Sequence, residues 1–114
     1  MENTMQTKQT EIFNLEDYSK HLHEQVNGVF LQHKNGEPVL RKPKLFNMDK
    51  FRKLSAENLY EIRKKTIMPH KQSLIKQSYD LAGEDKKDLE FKIILYEEMR
   101  YNLELLTLSK EQSK

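Results

Sequence analysis

"VFLQHKNGEPVLRK", residues 29–42, sets Asn35-Gly36 between two runs in which apolar and polar residues mix. Asn-Gly is the preferred pair for a type I′ two-residue turn, because both central residues take positive φ there. That register pairs Lys34 with Glu37 and brings Leu31 and Leu40 onto one face. Pro38 then falls at a non-hydrogen-bonded position, where its missing N–H costs no bond. The stretch therefore predicts a β-hairpin over 29–42. Two strands alone are marginally stable, so this hairpin must lean on helices.

Upstream, "FNLEDYSKHLHEQVNG", residues 13–28, reads as a short helix with both ends specified. Asn14 is a good N-cap, and Asp17 stands three residues on, as in a capping box. Phe13 and Tyr18 occupy the two positions of a hydrophobic staple. Leu15, Tyr18, Leu22 and Val26 form the stripe to be buried. Asn27-Gly28 is expected to end the helix. Residues 1–11 carry no pattern and read as a disordered tail.

Downstream, Ser55 caps a helix that begins at Ala56, after a short turn near 48–53. Leu59 and Ile62 set one apolar phase, while Ile67, Leu74 and Leu81 set another that is shifted by one residue. Pro69 lies at the junction, so a kink or break near residues 66–68 is expected. Gly83 closes this element. The last helix starts at "EDKKD", its acids at the positive end of the helix dipole, and runs to about Leu108. Twelve apolar residues fall within 89–108 of this helix. Leu89, Ile93, Tyr96, Leu103 and Leu106 form one stripe, and Phe91, Ile94, Tyr101, Leu105 and Leu108 form another on a largely different side. A surface helix needs only one. Residues 109–114 are expected to fray. The expected fold is mainly α with one β-hairpin: a short N-terminal helix, the hairpin, then two long antiparallel helices, in a single domain over 12–108.

Charge is unevenly placed. Residues 1–40 carry three basic and six acidic groups, 41–76 carry eleven and three, and 77–114 carry six and nine, giving −3, +8 and −3. There is no cysteine, so disulfides and thiolate metal sites are excluded. The start, "MENTMQTKQTE", lacks the basic and apolar regions of a secretory signal. No run approaches about 18 apolar residues, so no membrane span is expected. These features point to a soluble cytoplasmic protein. Its size and composition would suit an accessory protein of a virus or mobile element.

Catalytic motifs are missing. The three glycines are isolated, which leaves no phosphate-cradling loop. His21 and His23 point about 200° apart on a helix, and no cysteine supplements them as a metal site. His33 and His70 each stand alone in sequence, so all four histidines read as solvated or capping groups. "DLAGEDKKDLEF" lacks the central glycine of a calcium-binding loop. The chain is not expected to be an enzyme or to hold a cofactor or metal.

Two binding surfaces remain. The second stripe of the last helix, Phe91, Ile94, Tyr101, Leu105 and Leu108, suits a protein partner or self-association. This makes the chain a protein-interaction module: an oligomeric assembly component, or a small adaptor or inhibitor. The alternative is a nucleic-acid-binding protein or regulator, or one that meets an acidic partner, using Arg41, Lys42, Lys44, Lys50, Arg52, Lys53, Arg63, Lys64 and Lys65. Lys and Arg would supply phosphate charge there. "LSAENLYEIRKKTIMPHKQSLIKQS" departs from a helix-turn-helix, because its turn carries a proline and no glycine. Glu61 already stands four residues before Lys65, the favourable order for a surface pair.

Overall fold

A computed structural model of the chain describes residues 13–39 and 45–112. Among the described residues, three long helical elements make the fold. Helix α1 spans Leu15–Lys34, and a 3-10 turn at Asp49–Lys53 follows the connecting segment. Helix α2 (Ala56–Ile62) runs through a π-helical turn (Arg63–Ile67) into α3 (Met68–Ser78). Helix α4 (Gly83–Gln112) closes the bundle.

The hairpin expected over 29–42 does not form, and the described residues contain no strand. Residues 29–34 continue α1, 35–39 lead out of it, and 40–42 lie outside the described residues. A type I′ turn would need positive φ at both Asn35 and Gly36. Asn35 instead has φ −86° and ψ 2°, and only Gly36 is left-handed, at φ 80°. The Glu37 N–H donates to the Gln32 carbonyl at 2.9 Å, and the Gly36 N–H donates to the His33 carbonyl at 3.1 Å. This pair of bonds is a Schellman motif, in which glycine ends a helix and satisfies its last carbonyls. Pro38 follows at once and prevents continuation. The dipeptide that favours a hairpin turn thus serves equally well as a helix stop.

Burial decides between them. The stripe Leu22, Val26 and Val29 is buried, and Phe30 packs on the same core. Extending α1 past Gly28 keeps that stripe in phase. Stripe burial outweighs the roughly 0.5–1 kcal/mol that a mid-helix glycine costs. No atom lies within 4 Å of where a Gly28 Cβ would sit. Gly28→Ala is therefore expected to raise stability by about 0.5–1 kcal/mol. Gly36→Ala is expected to lower it by about 1–2 kcal/mol, the cost of a left-handed L-residue. Thermal melts of the two variants check this; destabilisation by Gly28→Ala would argue against an uninterrupted α1.

The expected caps are present. Asn14 Oδ1 accepts from the Asp17 N–H at 3.2 Å, and Ser55 Oγ accepts from the Asn58 N–H at 3.1 Å. The Phe13 and Tyr18 rings stack at 5.5 Å, as a staple requires.

The region around Pro69 takes a form between a break and a straight helix. The Met68 N–H donates to the Arg63 carbonyl, five residues back. A π turn inserts one extra residue per turn, which matches the one-residue shift between the Leu59/Ile62 phase and the Ile67/Leu74 phase. All four side chains are buried as a result.

Side-chain links fix the directions. Ser19 bonds to Thr66, and Phe13 and Leu15 line one groove with Tyr60, so α1 and the α2–α3 rod run parallel. Lys71 pairs with Glu97, and Lys110 Nζ donates to the Arg52 carbonyl, so α4 runs antiparallel to that rod. The segment returning from the end of α1 is clamped by Gln25. Its amide donates to the Asn47 carbonyl at 2.5 Å and accepts from the Asn47 N–H at 2.8 Å. Phe46, Met48, Phe51 and Leu54 of this segment are buried in the core.

Candidate functional site

Helix α4 buries Leu95, Tyr96, Met99 and Leu103 against the other elements. Its opposite face is apolar as well. Ile94 is 51% exposed, Tyr101 42%, Leu105 42% and Leu108 46%. Their spacing of seven, four and three residues keeps them on one side of the helix. Phe91, which the sequence placed with them, belongs elsewhere. Its ring stacks on His33 at 4.0 Å and lies 6.3 Å from Phe30, closing the end of α1 onto α4.

The exposed stripe adjoins a groove. Leu105 and Leu106 form one wall with Asn102, and Phe46, Met48 and Arg52 form the other. The Asn102 amide donates to the Glu98 carbonyl at 2.8 Å, which fixes its position within the helix. Along one edge of the stripe, Arg100 is forked between two acids. It donates to Glu97 at 2.8 and 3.0 Å and to Glu104 at 2.7 Å. Arg100 first, and Lys71 second, hold the Glu97 carboxyl below the usual carboxylate range. The stripe thus has an ordered polar rim along one edge of its apolar centre.

The basic residues of 41–65 are dispersed among acids and rings. Lys50 pairs with Asp17 at 3.0 Å, Arg52 pairs with Asp49, and Lys65 pairs with Glu61 at 2.9 Å. Arg63 and Lys64 lie 5.5 and 5.9 Å from the centre of the Tyr60 ring. Lys53 is exposed. Arg41, Lys42 and Lys44 lie outside the described residues.

His33 is exposed, with its ring on Phe91, whereas His21, His23 and His70 are half-buried against other rings. His21 packs on Phe51 at 5.4 Å. His23 and His70 meet where α1, α3 and α4 join, with ring centroids 4.7 Å apart, and His70 lies 4.7 Å from the Tyr96 ring. His23 Nδ1 is 2.6 Å from Tyr96 Oη. Burial pushes the Tyr96 phenol up to about 12. Sequence offered little signal for this cluster, since His23, His70 and Tyr96 are joined only by the fold. No group of three or more potential metal ligands occurs among the described residues. Among the same residues, no helix is long and apolar enough to cross a membrane.

The described residues form a three-element helical bundle in which α4 has two apolar faces. No family model, curated protein or solved structure matches the chain.

Proposed function

We infer that the protein is a non-enzymatic interaction module, a cytoplasmic assembly component or a small adaptor or inhibitor. The outer face of α4 is its contact surface. One observation carries this reading: Ile94, Tyr101, Leu105 and Leu108 stand 42–51% exposed on the side of α4 turned away from the core. Surface positions that serve only solubility do not need large apolar side chains at regular helical spacing. The neighbouring groove gives a partner's side chain a recess beside Leu105, and buried anchors of that kind carry most of the energy of an interface.

The nucleic-acid reading has less support, because Lys50, Arg52 and Lys65 are already matched by acids within the fold. Affinity capture from the source organism's lysate separates the two. The unmodified chain and a Tyr79→Glu control, altered at an exposed residue outside α4, are expected to retain the same protein. A Tyr101→Glu, Leu105→Glu variant is expected to lose it while keeping the helical circular dichroism of the parent. Equal retention by all three would remove α4 as the contact surface. Salt-sensitive nucleic acid in the eluate would favour the rival.

A further inference from the structure

The junction of the three helical elements holds two histidines and a tyrosine in mutual contact, and nothing in the interaction surface requires them. The participants come from every element that meets there. Helix α1 supplies Ser19 and His23, the π turn Lys65 and Thr66, α3 His70 and Ser73, and α4 Tyr96 and Lys92. We propose that the His23–His70–Tyr96 cluster is an acid-operated latch, which holds α1 against α3 and α4 at neutral pH and releases it as the histidines take up protons.

The geometry makes protonation costly in three ways. The two rings are 4.7 Å apart, so protonating both sets two cations in contact in a partly desolvated site. The Tyr96 phenol is 2% exposed and stays neutral. It donates to His23 Nδ1 only while that nitrogen is bare, and a protonated Nδ1 forces the hydroxyl hydrogen to turn away inside the core. The charges that act on the rings are positive: His70 on His23, and Lys92 on His70. Lys92 itself is anchored 4.8 Å from the Phe30 ring. Lys65, which lines the same groove, is paired with Glu61, and Lys71, next to His70 in the chain, is paired with Glu97.

Burial first, and these cations second, lower the affinity of both histidines for protons in the folded state. The unfolded or released chain titrates near the ordinary histidine value of about 6.5. Released chain therefore binds protons before folded chain does. The stability that neutral histidines contribute is complete above about pH 7.5 and is lost as pH falls through about 6.5 towards the lowered folded values. Each histidine multiplies the opening constant by up to about tenfold per pH unit in that window. Glu97 has its own lowered value, but a carboxylate loses its contribution only below about pH 4.5, which leaves the two effects separable.

Amide hydrogen exchange, corrected for the intrinsic pH dependence, tests the latch on the full chain at pH 7.5 and 5.5. Protection in α1 is expected to fall by tenfold or more at pH 5.5, and His23→Gln or His70→Gln is expected to remove most of that fall. NMR titration of the unmodified chain needs no variant and should place the His23 and His70 midpoints below that of free histidine. Midpoints at or above the free value, or an equal loss of α1 protection in parent and variants, would overturn the proposal.

Discussion

Phe51→Ala is expected to destabilise the protein by about 3–5 kcal/mol, read as a shift in the urea midpoint. Phe51 sits on the 3-10 turn, in a stretch whose sequence is dominated by lysine and arginine, yet its side chain is 0% exposed. Its ring lies 5.9 Å from Tyr18 and 5.4 Å from His21, so it pins the return segment onto the first half of α1. Truncation leaves a cavity lined by groups that cannot all move in, because α1 is also held at the Gln25–Asn47 clamp and the Ser19–Thr66 bond. Such a loss is a large part of the stability of a small domain. Phe51→Leu retains most of the buried carbon and should cost only about 1–2 kcal/mol. A loss below about 1 kcal/mol for the alanine variant would mean that residues 45–54 are not part of the core.

Leu103→Ala and Leu105→Ala are expected to behave oppositely, although they stand two residues apart on the same helix. Leu103 is 0% exposed and Leu105 is 42% exposed. Removing Leu103 should cost about 2–5 kcal/mol in stability. Removing Leu105 should cost under about 1 kcal/mol, but should weaken partner capture about tenfold or more, as loss of an interface anchor does. Denaturant titration with the capture assay on the same two proteins checks both halves. Equal stability losses would show that α4 is enclosed on both sides and has no free face.

Much of the helical framework was legible. The caps at Asn14 and Ser55, the Phe13–Tyr18 staple and the double character of α4 all depend on residues within a few positions of one another. Local spacing is enough to read them. The one-residue shift in apolar phase around Pro69 was also visible, and the structure resolves it as a π turn. The hairpin was not decided locally, because Asn35-Gly36 is favourable both in a hairpin turn and in a helix stop. The deciding quantity was the burial of Val29 and the packing of Phe30 and His33 onto Phe91, which lies 58 residues beyond His33 in the chain. Within the candidate surface, Ile94, Tyr101, Leu105 and Leu108 stay together, and Phe91 leaves them for the same reason.

By itself, then, the sequence determined the caps that start the first two helices, most of the side chains that share each helix face, and that no cysteine chemistry is available. Those properties follow from neighbouring residues and the fixed pitch of the backbone. Only the tertiary structure decided which of α4's two apolar faces is covered, that the segment after Pro38 feeds Phe46, Met48 and Phe51 into the core, and that His23 meets His70 and Tyr96. Each of these depends on surfaces brought together from distant parts of the chain, and no local preference carries that information.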